Sequence, residues 1–484
     1  MSTKRSTIAQ NTGYNLAGSA LPLLLSLVTI PLYIRVIGSE RYGVLTLAWL
    51  LLGYLGLFDL GLGRATAFQI AALKQASGEE RASTFWTAIY VNSAIGVVGA
   101  GIMWAIATYY FEHGISVDSH LRPELINSVP FLAMSVPVAT LIGVLSGALQ
   151  GREQFLRTNA ISVASTALFQ ILPLGVAWQF GPYLPWLLMA ALVARFVAIA
   201  VLAGWCYVEI ARGFHRGIDR NRVRELLGFG GWISLTSFLG ALLVLTDRFL
   251  IGAVLGAAAV TLYSVPFQLT QRVAILPSAL TAALFPRLSG AHANEERDIA
   301  DLSFRALASL LTLPVLVGVL LVGPFLQLWV GAKIGTAAAP LGRLLLIGFW
   351  LNAFALLPFT RLQASGRPDL VVKVLLAQVV PYIIGLIVAM KYYGLLGCAV
   401  MFVVRCLIDL LLLSLTLERR VSGLKSLSIN CGLLVAAAIL PNFFRPATVL
   451  WLLCALLLVA ITAAVSFKSI PPQIRSSLMA KFAT

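Results

Sequence analysis

The chain has few charged residues, and those it has are mostly basic. Only 11% of its 484 residues are Asp, Glu, Lys or Arg, whereas an ordinary soluble domain carries about 25%. Hydrophobic residues make up 59% of the chain, and the mean hydropathy is +0.91. This composition excludes an ordinary soluble domain and predicts an all-α, polytopic membrane protein.

The sequence also lacks the motifs of nucleotide-using and metal-using enzymes. It contains no G-x-x-x-x-G-K-[ST] loop, so a conventional ATP site is not expected. The five cysteines lie in or beside apolar runs without metal or disulfide spacing, and we interpret them as packing residues. The outer loop 112–124 holds acids and histidines, but their spacing fits no metal motif. No loop is long enough for a catalytic domain, so we expect no enzyme activity, no metal and no cofactor.

The net charge of +16 is explained by the loops. Lys and Arg are concentrated in alternate connections, which the positive-inside rule assigns to the cytoplasm together with both termini. The other connections carry about one basic residue each. We therefore expect anionic membrane lipids, and no nucleic acid, as partners of the basic surface.

Windows of about twenty apolar residues predict about fourteen transmembrane helices. We divide them into an N-terminal six-helix bundle (1–208), a basic cytoplasmic linker (209–227), a C-terminal six-helix bundle (228–416), and two extra helices with a cytoplasmic tail (417–484). The predicted spans are 13–37, 43–68, 84–110, 125–149, 158–179, 186–208, 228–252, 258–285, 304–330, 339–362, 370–390, 395–416, 428–444 and 447–467.

The two bundles carry corresponding residues in the same order. Gly38 matches Gly256, and Arg195 matches Arg405, displaced by about 210 to 218 residues. Such a series indicates an internal duplication. Because each half begins on the cytoplasmic side, we expect parallel repeats related by an axis along the membrane normal, with a substrate site between them.

Arginines within the apolar spans are the strongest functional signal. A guanidinium at the middle of a bilayer costs from ~3 to over 10 kcal/mol, depending on its access to water. Its planar fork binds two phosphate oxygens, and it stays protonated when poorly hydrated. We therefore predict that the intramembrane arginines bind an anionic substrate. Three of them lie near mid-depth and two nearer the membrane faces: Arg195, Arg272 and Arg405, then Arg248 and Arg64.

Three aspartates also lie in predicted spans. Asp59 and Asp247 are candidates for coupling transport to an ion gradient, because a carboxylate in a membrane can carry a proton or bind a cation. For Asp409 we favour an ion pair with Arg405, one helical turn away. For the other two, a fixed salt bridge with a neighbouring arginine, Arg64 or Arg248, is the alternative.

Several segments resemble known polysaccharide-biosynthesis flippases. The segment 56–66 reads G-L-F-D-L-G-L-G-R-A-T, and 247–252 reads D-R-F-L-I-G. Together with 11–15, 30–33 and 38–43, they are similar to the O-antigen and capsule repeat-unit flippases of the multidrug/oligosaccharidyl-lipid/polysaccharide (MATE-like) superfamily. The resemblance extends over nearly the whole chain.

The resemblance implies a V-shaped pair of six-helix bundles that work by alternating access. The implied substrate is an undecaprenyl-pyrophosphate-linked oligosaccharide, moved from the cytoplasmic to the outer leaflet of a bacterial inner membrane. Implied partners are this lipid-linked oligosaccharide, membrane lipids, and the polysaccharide polymerase and chain-length machinery. Members of the family are thought to use a cationic central cavity, for which Arg195, Arg272 and Arg405 are candidates by depth and charge.

Two other functions are open at this stage. A multidrug or cation antiporter of the same superfamily would line its cavity with acids, whereas arginines outnumber acids at mid-depth here. A membrane polysaccharide polymerase would need a large outer loop with catalytic residues, and the predicted outer loops are short. The sequence thus favours a flippase over both.

Overall fold

The computed structural model describes residues 2–54, 61–74, 76–214, 217–219, 222–223, 245–290, 293–417, 424–446 and 448–469. Within these ranges the regular structure is entirely helical. The helices are α1 (Ser2–Tyr54), α2 (Leu62–Ala72), α3 (Gly78–Tyr109), α4 (Arg122–Gly151), α5 (Phe155–Phe180), α6 (Leu184–Cys206), α7 (described over 245–254), α8 (Ala257–Thr270), α9 (Ile275–Gly290), α10 (Ala293–Val330), α11 (Ala332–Ala364), α12 (Pro368–Leu415), α13 (Leu424–Phe443) and α14 (Val449–Ser469).

The helices follow from the apolar composition. In lipid every backbone N–H and C=O must be satisfied within the protein, and a continuous helix satisfies nearly all of its own groups. In the described part of the chain, eight helices are long and apolar enough to cross a membrane, and Leu427–Phe443 is a shorter apolar helix. The predicted class, a polytopic helical membrane protein, is confirmed. The number fourteen stays a prediction.

Two long helices each bend at a glycine that lies between two predicted spans. Helix α1 bends at Gly38, whose φ is +81°, and α12 bends at Gly394, whose φ is +56°. Gly256, the predicted counterpart of Gly38, also has a positive φ, +90°. Residues with a Cβ rarely adopt such angles, so glycine makes these tight turns possible. The predicted turns at Gly38 and Gly256 are confirmed.

Two spans predicted as continuous, 43–68 and 258–285, are interrupted in the structure. In the first, Gly61 has a left-handed φ of +76° and α2 begins after it at Leu62, while residues 55–60 lie outside the described residues. The second is divided into α8 and α9 by a 3₁₀ turn, Gln271–Ala274. Pro277 explains this turn, because a proline ring clashes with the carbonyl four residues earlier and removes one helical hydrogen bond. The prediction of unbroken helices was wrong here.

The chain forms two compact units, Met1–Thr261 and Leu262–Thr484. In the first, α2, α3, α4 and α6 enclose a core that includes Ile70, Phe85, Leu145 and Cys206. Helices α2 and α4 approach so closely that a side-chain carbon on Gly147 would overlap a backbone carbonyl of α2. Small residues permit such contacts, which supply much of the packing energy between helices in a bilayer.

The connections opposite the basic loops are fixed within the first unit by polar contacts. Glu124 accepts two hydrogen bonds from Arg41, at 2.8 and 3.2 Å, and one from the backbone N–H of Leu184. Its hydrogen bond raises the pKa of Arg41. The Ser116 N–H donates to the carbonyl of Gly252 (3.1 Å), and the Tyr110 hydroxyl donates to that of Phe249 (2.8 Å). The first set of contacts joins the bend of α1 to the starts of α4 and α6, and the second joins the segment after α3 to α7.

The second unit is organised around aromatic side chains. The rings of Phe267 on α8, Phe349 on α11 and Phe402 on α12 lie 4.9 to 5.5 Å apart between centroids. Trp350, fully buried, donates its indole N–H to the Thr312 hydroxyl of α10 (3.2 Å). This packing holds α11 between α8, α10 and α12, and so fixes the helices next to the 3₁₀ turn.

Candidate functional site

Arg195 lies on α6 in the first unit, half-buried among apolar neighbours. Its guanidinium carbon is 4.6 Å from the centroid of the Phe169 ring on α5. Within the described ranges, no carboxylate forms an ion pair with it. A cation over an aromatic face gains about 2 kcal/mol when desolvated, less than most estimates of the cost of a mid-bilayer arginine. Arg195 therefore still lacks a partner of opposite charge.

The ring below Arg195 belongs to an aromatic cluster. Trp49 packs on Phe169 with centroids 5.8 Å apart, and Tyr33 meets Trp49 edge-on at 5.1 Å. The Tyr33 hydroxyl donates to the Gln170 carbonyl (2.7 Å). Edge-on aromatic contacts add to the energy of burial and have a defined geometry. The cluster thus fixes the position of the ring, and through it the guanidinium.

Arg272 lies in the 3₁₀ turn between α8 and α9, and its side chain is exposed. Just before the turn, the Thr270 hydroxyl donates to the Pro266 carbonyl (2.8 Å). Among the residues with a described position, no acid is paired with Arg272. The broken helix therefore presents a guanidinium near the middle of a predicted span without a charge partner.

Arg405 lies on the second half of α12, with its guanidinium carbon 5.3 Å from the centroid of the Tyr382 ring. One turn on, Asp409 accepts a hydrogen bond from the Gln378 amide (3.0 Å). Tyr382 and Gln378 both belong to the first half of α12, before the bend at Gly394. The arginine and the aspartate are thus both engaged by the preceding span.

Arg195 and Arg405 have the same local arrangement. Each lies on the predicted sixth span of its half, and each guanidinium faces an aromatic ring on the preceding span. This likeness is what a duplicated bundle would retain, and it supports the predicted correspondence of the two arginines.

Arg248 and Asp247 form a buried ion pair on α7. An Arg248 guanidinium nitrogen lies 2.8 Å from an Asp247 carboxylate oxygen, and both side chains are at most 3% exposed. The same oxygen accepts the backbone N–H of Arg248 (2.8 Å). In this conformation Arg248 is not presented to a solvent-filled space. A substrate or coupling role for either residue requires the pair to open.

Of the two remaining predicted positions, one is described, at the start of α2. Arg64 is exposed in the first turn of α2, just after Gly61, whose φ is +76°. Asp59, the other predicted coupling residue, lies outside the described residues. The predicted ion pair between Asp59 and Arg64 therefore stays a prediction.

Other charged residues of the spans were missed at the sequence level. Arg343 and Arg361 both lie on α11, within the predicted span 339–362; Arg343 is half-buried and Arg361 is 5% exposed. A scan for every basic residue inside every span would have found both. Arg361 has contacts within the protein.

The described candidate residues are mainly arginines, and few of them could take part in covalent chemistry. Over the ranges that the structure describes, no three His, Cys, Asp or Glu side chains are grouped as metal ligands. Cys206, Cys398 and Cys406 are buried. Arg195 and Arg272 are therefore best suited to bind a phosphate or another multiply charged anion by charge-assisted hydrogen bonds.

Comparison with known proteins finds a matching family and a related transporter. The sequence model of the family described as "Polysaccharide biosynthesis protein" matches residues 8–292. A Shigella flexneri protein named "Putative O-antigen transporter" is 29% identical over 409 residues, which cover 84% of this chain and 97% of that protein.

Solved structures show the same fold at low sequence identity. The lipid II flippase MurJ in an inward closed conformation has a TM-score of 0.68 at 14% identity, covering 94% of this chain and 97% of that one. An inward-facing MATE family multidrug resistance transporter of the MOP superfamily has a TM-score of 0.63 at 16% identity, with 87% and 98% covered. At these identities the likeness concerns the fold alone.

Proposed function

Since the chain belongs to the polysaccharide biosynthesis protein family, we propose that it is a flippase for undecaprenyl-pyrophosphate-linked oligosaccharide repeat units. In this proposal the substrate crosses a bacterial inner membrane by alternating access. The multi-pass helical fold and the O-antigen transporter relative support transport of a lipid-linked oligosaccharide rather than enzymatic chemistry.

The observation that carries the proposal is the state of two arginines. Arg195 and Arg272 lie in apolar spans, and no ion pair to either is found among the described residues. The half-buried Arg195 is costly without a partner of opposite charge, and the exposed Arg272 is open to such a partner. A pyrophosphate supplies this charge, while a polyprenyl tail is compatible with the surrounding lipid. Each guanidinium is therefore proposed as a ligand for a phosphate of the substrate.

The other predicted positions have lesser roles in this proposal. Arg405, engaged by the ring of Tyr382, is a third phosphate ligand in the family pattern. Arg64 is a candidate for the cytoplasmic entry of the substrate, and Arg248 can contribute only if its pair with Asp247 opens. Asp59 and Asp247 are retained as candidates for ion coupling.

A cation or multidrug antiporter is the weaker proposal. Such a transporter needs acids that are available to a cationic ligand. In the described spans, Asp247 is paired with Arg248, and Asp409 is hydrogen-bonded to Gln378. The likeness to the MATE transporter concerns the fold and does not favour this alternative.

The test is transport by purified protein in vesicles loaded with a fluorescent undecaprenyl-pyrophosphate-linked oligosaccharide. The wild type should expose the oligosaccharide at the opposite surface. Arg195→Gln and Arg272→Gln should each slow this about ten- to hundred-fold, the effect of losing a charged hydrogen bond.

Lys391→Gln is the matched control, because Lys391 is an exposed basic residue at a span end. Its rate should equal that of the wild type at the same amount of inserted protein. No transport by the wild type would contradict the proposed function. A normal rate in either arginine variant would remove that arginine from the substrate path.

A further inference from the structure

Arg343 on α11 is a third arginine without a charge partner, and it has no role in the function proposed above. Its side chain is half-buried. Its Nε atom is buried and has no hydrogen-bond partner, and among the described residues no acid is paired with it. A buried donor left unsatisfied costs about 1 to 3 kcal/mol, and more on a charged group. Among the residues with a described position, none neutralises this arginine, so it is a candidate to bind an anionic ligand.

The guanidinium lies in a cradle between α10 and α11. A methyl carbon placed on Gly323 of α10 would be 3.4 Å from the Nη2 atom of Arg343 and 3.5 Å from the Cβ of Ala339. Gly323 is itself buried. The guanidinium thus lies against the surface of α10 beside Gly323.

Polar groups connect this cradle with the near end of the two helices. The Gln327 amide on α10 donates to the Thr336 hydroxyl on α11 (3.2 Å), and both residues are exposed. Thr336 precedes Arg343 by about two helical turns, so the two share a face of α11, about 10 Å apart along the axis. Lys333, one turn before Thr336, is exposed. Polar side chains therefore lie at the helix end, about two turns from Arg343, with Ala339 in the turn between Thr336 and Arg343.

Charge and depth define the ligand. The predicted orientation assigns this end of α10 and α11 to the outer leaflet, because the connection preceding α10 is rich in basic residues and this one carries only Lys333. A guanidinium, an amide and a hydroxyl are donors suited to phosphate oxygens. An anion that reaches this depth beside an apolar chain is a phosphate attached to a lipid.

We propose that Arg343, with Thr336 and Gln327, binds the phosphate of a lipid in the outer leaflet. This inference rests on the proposed function in one respect: the lipid is either the translocated lipid-linked pyrophosphate or a resident phospholipid. Both present the same chemistry to the guanidinium, a phosphate carried by apolar chains.

The test is the binding of two lipids to the delipidated full chain, measured by native mass spectrometry. One probe is undecaprenyl pyrophosphate and the other is phosphatidylglycerol. Arg343→Gln should weaken binding of at least one probe about ten- to hundred-fold, the loss of a charge-assisted hydrogen bond. Thr336→Val, at an exposed position that tolerates a change, should weaken the same probe about two- to ten-fold. Lys391→Gln is the control.

The outcomes separate this inference from the proposed function. Weaker binding of undecaprenyl pyrophosphate alone would assign the site to the substrate. Weaker binding of phosphatidylglycerol alone would assign it to a resident lipid. Either result supports a phosphate site at Arg343. Unchanged binding of both probes in Arg343→Gln and in Thr336→Val overturns it. If Arg343→Gln does not fold, Thr336→Val decides. Failure of the wild type to bind undecaprenyl pyrophosphate, with phosphatidylglycerol binding still sensitive to Arg343, would count against the flippase and leave this site in place.

Discussion

Replacing Arg195 with methionine should make the protein more stable and less active. The substitution removes a guanidinium from an apolar span, where the charge costs about 3 kcal/mol on insertion scales. It also removes the contact with the Phe169 ring (4.6 Å), which contributes about 1 to 2 kcal/mol when desolvated. No ion pair among the described residues is lost. The balance predicts a gain of about 1 to 2 kcal/mol in the free energy of unfolding.

A thiol-reactive fluorescent dye can measure this gain. Cys206, Cys398 and Cys406 are buried, so they react only as the protein unfolds. Wild type and Arg195→Met should be heated in the same detergent and compared at equal concentration. The variant should unfold at a higher temperature, while its transport in vesicles should fall at least ten-fold, because the phosphate ligand is gone.

Two further variants make the reasoning refutable. Phe169→Leu removes the ring and keeps the charge, so it should lower the unfolding temperature and retain much of the transport. Lys391→Met, which removes an exposed charge, should change neither quantity. If Arg195→Met instead unfolded at a lower temperature and transported normally per folded molecule, Arg195 would be a structural residue and not a ligand of the substrate.

Three other predictions follow from the packing. Glu124→Gln weakens a bidentate pair with Arg41 and should lower the free energy of unfolding by about 1 to 3 kcal/mol. The dye should then label the variant at a lower temperature, and unchanged labelling would show that the pair does not stabilise the fold. Gly147→Ala places a methyl on a backbone carbonyl of α2, whereas Gly175→Ala meets open space, so only the first should destabilise, by about 1 to 3 kcal/mol. Pro277→Ala should restore helical hydrogen bonds at 271–274. Amide hydrogen exchange at these residues should then be slower than in the wild type. Equal exchange would show that Pro277 does not cause the 3₁₀ turn.

The apolar pattern predicted the helices well because its physical cause is strong. A backbone in lipid must satisfy its own polar groups, so long apolar runs can hardly be anything but helices. The turns at Gly38 and Gly256 were also predictable, since both glycines follow an apolar run and precede another. The break at 271–274 was not predicted, although Pro277 was visible, because a proline in a membrane span often bends a helix without dividing it.

The charged residues were harder to predict, since sequence gives depth but not neighbours. Arg248 and Arg195 both lie in apolar runs, and the Asp247 next to Arg248 in the sequence left a salt bridge between them as the alternative to a coupling role. In the structure Arg248 is covered and paired with the adjacent aspartate, whereas Arg195 faces a ring contributed by another helix. Similarly, Asp409 was expected to pair with the arginine on its own helix, and the structure shows its hydrogen bond to Gln378 on the preceding span. Such contacts depend on tertiary packing.

The apolar surroundings of Arg195 also bear on how the protein is made. Helix α6 (Leu184–Cys206) contains five leucines, three valines, one isoleucine and one phenylalanine. On insertion scales, ten such residues favour entry into the bilayer by about 3 to 6 kcal/mol, which offsets the ~3 kcal/mol for one arginine. This span can therefore leave the translocon without help from the helices that follow it in the chain. Membrane insertion therefore does not exclude an arginine at this position, and a requirement for transport is sufficient to retain it.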